Sequence, residues 1–489
     1  MIKTSKKKIR QLGLLAAALA LSGCASLAPI GPGLPEEVRA ALAKAELPES
    51  ALAVVAFPLD ASRQQLGGLR VQPDRPMQPA SAMKLVTGAV ALDRLGPNSR
   101  GRTELLAEGP ISGEVLEGPL YLRGGADDQL DWGALWLMLR QLREQHGLRE
   151  IRGGLVVDRG LFVPGRLDIG VPPFDEAPEF QYNVIPDALY LNGQLLGLLL
   201  QSDATTLNAR LFPAWPGMRV DTSAVKLDER ACRDWERGWQ LPAVAQDASG
   251  ATVRLAGSFP KNCKVEPQLN LIERQWIATQ ALRQIWRELG GTIAGEDRDG
   301  ATPAGAVVLA RHQGRPLAEL MRGMMKSSDN PLTRLVYLRL GAAAAAPGED
   351  TRAAAERTVR AWFAEQGLDS TGLVLDNGSG LSRSERISAQ QLAGLLQAAQ
   401  RGRHGPELLV TLPVAGVDGT LSRRLKEGPA AGRARLKTGS LNSAVALAGY
   451  VPDAGGHTWV VAAMLNDPKA SAKGRPVLDT LIDWLASRR

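Results

Sequence analysis

The chain has 489 residues, a formal charge of +7, 44% hydrophobic and 22% charged residues. That composition excludes a disordered chain or a fibre, and the length predicts two or three domains. Lys3, Lys6, Lys7, Lys8 and Arg10 hold five of the positive charges with no acid before residue 24, so the body carries only +2 and is not a general nucleic-acid binder. Three cysteines and four histidines are little material for a zinc site or an iron–sulfur cluster, and no metal or cofactor is expected.

The chain opens with a basic segment, MIKTSKKKIR, and a short apolar one, LGLLAAALAL, too short to span a bilayer comfortably. Leu21-Ser22-Gly23-Cys24 follows and resembles a bacterial lipobox, which implies cleavage at Gly23–Cys24 and lipidation of Cys24; the alternative is an ordinary signal cut after Ala18-Leu19-Ala20. Several acyl chains on one residue would anchor the protein stably. Ala25, rather than Asp, after the cysteine leans toward the outer membrane, so the expected location is the bacterial periplasm, lipid-anchored at the outer membrane. Export implies an oxidising compartment. Cys232 and Cys263 are then left as a pair, and a bridge between them would close a loop of about 30 residues, contributing roughly 3–4 kcal/mol. The alternative is two buried thiols.

In chain order, 1–23 is a signal and 24–50 a Pro-, Ala- and Glu-rich tether with a short helix. Strands are predicted at 51–57 and 65–71, then a helix at 83–95 stopped by Gly96-Pro97. Within 101–303 short strand-like runs recur at 119–122, 154–157 and 196–200, with helices at 132–148 and 271–289. From 304 to 489 helices return at 316–325, 332–340, 351–366 and 389–399; strands follow at 434–438, 444–451 and 458–465, and a helix at 476–486 closes the chain. The ends are α/β and the middle is β-rich. The simplest topology is one domain, 51–100 with 304–489, interrupted by a large insertion.

No Gly-x-Ser-x-Gly occurs, and the histidines are scattered without a partner pattern. A different serine chemistry is available. A lysine three residues after a serine on a helix shares its face and can take the serine proton. Ser-x-x-Lys occurs at Ser5, Ser81, Ser223 and Ser258, but only Ser81-Ala82-Met83-Lys84 opens a convincing helix. Its apolar neighbours Met83, Leu85 and Val86 favour burial, which a lysine base needs for a lowered pKa. Taken alone, Ser81 reads as a helix N-cap before it reads as a nucleophile. Ser328-Asp329-Asn330 lies between two helices; its serine can relay a proton and its amide can hold both a peptide backbone and a lysine. Lys437-Thr438-Gly439 ends an extended run. There a cation and a hydroxyl suit a terminal carboxylate, and Gly439 lets a substrate backbone approach. The backbone N–H groups of Ser81 and Ser440 are candidates for an oxyanion hole.

These three motifs in this order are the signature of penicillin-recognising serine enzymes. More narrowly, the chain resembles the D-alanyl-D-alanine carboxypeptidase/endopeptidase family of class C low-molecular-mass penicillin-binding proteins (peptidase family S13, the penicillin-binding protein 4 type). The 247 residues between Ser81 and Ser328 match that family's large insertion after the nucleophile helix. So do PASAMKLVT from Pro79, DNGSGLSR from Asp376, LPVAGVDGTL from Leu412 and LKTGSL from Leu436. GGADDQ at 124–129 departs from the family's Gly-Asp-Pro-like turn.

The resemblance implies an α/β (α+β) serine transpeptidase/β-lactamase-like domain, with an antiparallel sheet flanked by helices and an insertion folded as two subdomains. It implies Ser81 as the acylated nucleophile, Lys84 as its base, Ser328 and Asn330 in the proton network, and Lys437 and Thr438 on the D-Ala carboxylate. The partners it implies are peptidoglycan peptides and β-lactam inhibitors, with no nucleic acid. The alternatives are a β-lactamase, which the extra length argues against, and a non-catalytic envelope lipoprotein that binds peptidoglycan.

Overall fold

The computed structural model describes residues 33–489, apart from 61, 63–66, 166–176 and 248–249. The signal, Cys24 and part of the 65–71 strand therefore lie outside the described residues. At the centre of the catalytic domain is a five-stranded antiparallel sheet in the order Arg435–Leu441, Ala444–Pro452, Thr458–Asn466, Leu52–Pro58, Leu69–Val71. Its three inner strands are near-continuous apolar runs because both faces are covered. Ala53, Val55, Ala446, Ala448, Val460 and Ala462 face a helical layer that contains Lys84–Leu95, the helix following Ser81, which is the nucleophile expected from the sequence. Leu52, Val54, Val445, Leu447, Val461 and Ala463 face the two terminal helices, Glu36–Lys44 and Ala470–Ser487.

Three boundaries differ from the sequence expectation, one being the end of the insertion, which lies after Gln313 and not at 303. Residues 36–44 are not tether but part of the domain, since Val38 and Leu42 are buried against the closing helix. That closing helix begins at Ala470, six residues before Pro476, with Gly474 lying close against Val445 of the sheet.

The nucleophile helix is buried on nearly every side, as its run KLVTGAVAL requires. Met321, Met324 and Met325 of the helix Leu317–Lys326 pack onto it at Gly88, where a Cβ would come within 2.6 Å of a methionine methyl.

The inserted block holds two hydrophobic cores. The first is built on a five-stranded sheet, Arg298–Asp299, Leu155–Asp158, Leu120–Gly125, Arg102–Ala107, Val307–Gln313, against which helices Trp132–Gln145 and Arg274–Glu288 pack. The second joins the strands around Leu196–Ser202 to the three-stranded sheet Met218–Asp228, Gly250–Pro260, Ala243–Asp247 through Leu198, Val253, Trp235 and Phe259. A disulfide joins Cys232 to Cys263, with Cα atoms 5.2 Å apart. The chain leaves the block only after Gln313, because Val307–Gln313 pairs antiparallel with Arg102–Ala107.

The GGADDQ turn sits at this exit. Buried Asp127 pairs with His312 at 2.7 Å, and Asp128 with Arg315 at 2.7 Å, so the two crossings between domain and insertion are tied together. The insertion also touches back: the carbonyls of Asn183 and Val184 accept from the buried Arg334 guanidinium on the helix Asn330–Ala344.

The disulfide staples the second inserted core and lies outside the catalytic sheet. Replacing both Cys232 and Cys263 by Ser should lower the unfolding free energy of that unit by about 3 kcal/mol, read as an earlier denaturant transition, while acylation of the folded protein by a fluorescent penicillin is unchanged. An unshifted transition would show that the bridge contributes nothing.

Candidate active site

The nucleophile turn is held in an unusual backbone geometry. Ala80 has φ +47°, a region a residue with a Cβ rarely adopts. A single 3₁₀ turn, Ala80–Met83, then feeds the α-helix that starts at Lys84. Three elements clamp it. Asn466, at the end of its strand, accepts from Gln78 N at 2.8 Å and donates to Gln78 O at 3.0 Å. A Cβ on Gly439 would stand 2.5 Å from the Pro79 carbonyl oxygen, and one on Gly380 1.8 Å from that of Ala80. The missing side chain of Gly439 thus makes room for the protein's own turn, where the sequence suggested room for substrate.

Ser81 is not an N-cap. No side chain caps the 3₁₀ turn or the helix, and the hydroxyl meets Lys84 Nζ at 3.1 Å. Lys84 is fully buried and donates to Asn330 Oδ1 at 2.6 Å and to the Ser379 carbonyl at 2.6 Å. The Asn330 amide is oriented by its other end, since Nδ2 donates to the Tyr182 carbonyl at 3.2 Å. Two obligate acceptors use two N–H groups. A neutral amine then has one lone pair left, directed at the Ser81 hydroxyl. Burial drives the Lys84 pKa well below the usual lysine range, and the nearby Lys437 and Arg334 cations push in the same direction.

The second lysine forms a matching pair. Lys437 is fully buried and donates to Ser328 Oγ at 2.9 Å and to the Thr438 carbonyl at 2.7 Å; burial pushes its pKa down to about 7. Ser328 has φ +61°, which turns the chain sharply before Asp329 caps the next helix by accepting from Leu332 N at 2.8 Å. The Thr438 hydroxyl donates to Thr420 at 2.8 Å, and Ser440 is exposed, its hydroxyl accepting from Arg475 at 3.4 Å. The Thr420 loop is fixed in turn by Lys326, which bonds both Asp418 (2.6 Å) and the Leu412 carbonyl (2.6 Å).

All three motifs therefore converge on two pairs, each of a buried lysine and a half-buried serine. Sequence reasoning missed the Ser379 and Tyr182 carbonyls, Thr420, Arg475 and the buried Glu385. Ser379 and Thr420 lie in two of the stretches that carry the family resemblance, which was their only signal; a backbone carbonyl has no residue signature. Three histidines do have carboxylate partners, His312 with Asp127, His457 with Asp453 and His404 with Glu407 at 3.8 Å, but none of the three meets Ser81, Lys84, Ser328 or Lys437 in a hydrogen bond.

This architecture is that of a penicillin-binding protein 4. The Haemophilus influenzae protein of that name superposes with a TM-score of 0.75 at 23% identity, covering 92% of this chain and 98% of that one. The same protein in complex with a β-lactam matches at a TM-score of 0.73. The sequence model of the D-Ala-D-Ala carboxypeptidase 3 (S13) family matches residues 34–487, and the chain belongs to that family. A D-alanyl-D-alanine carboxypeptidase of Actinomadura sp. (strain R39) is 31% identical over 386 residues, 76% of this chain and 70% of the relative. The Haemophilus influenzae D-alanyl-D-alanine carboxypeptidase DacB is 27% identical over 404 residues, 80% of each.

Gly380 has φ +84° as well as no room for a Cβ. Gly380→Ala should cost at least about 2 kcal/mol and displace the Ser81 turn, so that fluorescent-penicillin labelling of the remaining folded protein slows at least tenfold. Wild-type labelling speed would show that the turn tolerates the displacement.

Proposed function

We propose that the chain is a serine D-Ala-D-Ala carboxypeptidase, DD-endopeptidase or both, acting on peptidoglycan stem peptides through a Ser81 acyl-enzyme. The observation that carries this reading is the buried Lys84 amine, held by two acceptors with its remaining valence toward Ser81. Membership of the D-Ala-D-Ala carboxypeptidase family supports the substrate class.

In this mechanism Ser81 Oγ attacks the carbonyl carbon of the D-Ala-D-Ala bond and its proton passes to Lys84 Nζ. The Ser81 and Ser440 N–H groups take the oxyanion. Lys437 donates to Ser328 Oγ, so the Ser328 hydroxyl proton points elsewhere and passes to the leaving amine, and the proton that Lys84 took from Ser81 replaces it on Ser328, leaving both groups neutral. The C–N bond breaks, the D-amino acid product departs, and water cleaves the ester to restore Ser81. The Lys437 charge and the Thr438 hydroxyl receive the terminal carboxylate. β-Lactams acylate the same serine. Lipidation at Cys24 would anchor the enzyme in the periplasm at the outer membrane, the location proposed from the lipobox.

Ser81→Ala should abolish covalent labelling by a fluorescent penicillin, and persistence of the label would remove Ser81 as nucleophile. Lys84→Ala should slow acylation at least about 100-fold with the fold intact. The acylation rate should rise with pH as Lys84 loses its proton, because only the neutral amine can accept one; a flat profile between about pH 5 and about pH 9 would contradict its role as base. Mass analysis of products from purified muropeptides separates the activities. Loss of one D-Ala marks the carboxypeptidase, conversion of cross-linked dimers to monomers marks the endopeptidase, and no product from either substrate would defeat the proposal.

A further inference from the structure

Behind Lys84 lies a carboxylate that the mechanism does not use. Glu385 is fully buried, and among the described residues no arginine, lysine or histidine side chain bonds its carboxylate. Instead its oxygens collect backbone N–H groups from one loop. Oε1 accepts from Gly378 at 2.7 Å, Asn377 at 3.1 Å and Asp376 at 3.3 Å, and Oε2 accepts from Gly380 at 2.8 Å. Convergent amides of this kind need left-handed residues between them, and Gly378 and Gly380 have φ +73° and +84°.

The outward face of the same loop meets the nucleophile helix. The Gly378 carbonyl accepts from Thr87 Oγ1 at 2.7 Å and the Ser379 carbonyl from Lys84 Nζ at 2.6 Å. The Ser379 carbonyl and the Gly380 N–H belong to one peptide group. In a trans peptide they point in opposite directions, so this single plane stands between Glu385 and Lys84, donating to one and accepting from the other. A carboxylate on the N–H side polarises the carbonyl and fixes which way it faces.

We propose that Glu385 is a positioning residue for the catalytic amine, holding the Ser379–Gly380 peptide so that its carbonyl orients Lys84 toward Ser81. The proposal rests on the Ser81–Lys84 reading and names a residue that acts on it from outside the three motifs. Glutamine at this position keeps one acceptor oxygen but turns an amide N–H₂ toward an N–H donor. With Oε1 retained by three amides, the Gly380 N–H loses its partner and the peptide loses its fixed orientation. The charge acts in the same place. The titratable and charged groups around the pair are Asp376 and Tyr337 on the Glu385 side, and Lys437, Arg334 and Asp329 around Lys84. Removing one negative charge from this set disfavours protonated Lys84, so its deprotonation moves to lower pH.

The test compares full-length wild type, Ser81→Ala and Glu385→Gln, each checked for folding by thermal unfolding, with the rate of acylation by a fluorescent penicillin measured across pH. Glu385→Gln should acylate at least tenfold more slowly at its plateau, with the acidic limb displaced to lower pH. A folded Glu385→Gln with the wild-type plateau and an unmoved limb overturns the inference, as does a variant that only unfolds earlier while acylating normally. If Glu385→Gln does not fold, glycolic acid in place of Gly380 removes the single N–H and leaves Glu385 intact; the same slowing is expected, and wild-type acylation by that ester variant overturns the inference. Wild type that fails to label, or Ser81→Ala that labels, overturns the underlying reading instead.

Discussion

A lysine amine buried away from solvent has to be satisfied by the protein, and the site is organised around that requirement. Lys84 Nζ is completed by Asn330 Oδ1, the Ser379 carbonyl and Ser81 Oγ. Each partner arrives on a different segment: the nucleophile turn, the helix after Ser328 and the loop from Asp376. Burial removes the solvation that would keep the amine protonated, and the same burial makes each hydrogen bond more valuable. The chemistry and the packing are therefore one constraint. An amine that was easy to hydrate would be a poor base at neutral pH.

The sheet and helices supply that burial. The helix Lys84–Leu95 is enclosed by the helices Asn330–Ala344 and Ala389–Arg401, the second of which packs on the sheet, and by the methionines of Leu317–Lys326. Close approach is allowed where side chains are absent, at Gly88 for the helix contact and at Gly380 and Gly439 for the turn. The insertion takes part as well, since the Tyr182 carbonyl orients Asn330 and its neighbours hold Arg334. The block between the first and second motifs thus completes the first ring of contacts around the base as well as occupying the space beside it.

Much of this was legible in the residues. The runs 444–451 and 458–465 read as strands, and both are strands, buried on both faces. Ser81, Lys84, Ser328, Asn330 and Lys437 were identified by type, spacing and order, and the structure brings them together. What was hard to see had one of two causes. Strands such as Arg102–Ala107 and Val307–Gln313 pair across roughly two hundred residues, and the alternation within each says nothing about its partner. Helix ends were displaced because tertiary contacts, not local propensity, set them: Glu36–Lys44 exists as part of a core that includes Leu481 at the other end of the chain.

The sequence alone picked out Ser81, Lys84, Ser328, Asn330 and Lys437, because residue type and the order of the three motifs survive in one dimension. It also indicated burial around Lys84, through its apolar neighbours Met83, Leu85 and Val86. Only the tertiary structure decided how the base is held. Two of the groups that orient Lys84 and Asn330 are carbonyls, which every residue possesses. Gly439 and Gly380 acquire their meaning from backbone atoms that lie far from them in sequence. Glu385 reads as an ordinary surface acid in a polar run, Ser-Arg-Ser-Glu-Arg, and becomes a fully buried anchor only because four amides of the preceding loop turn inward to meet it.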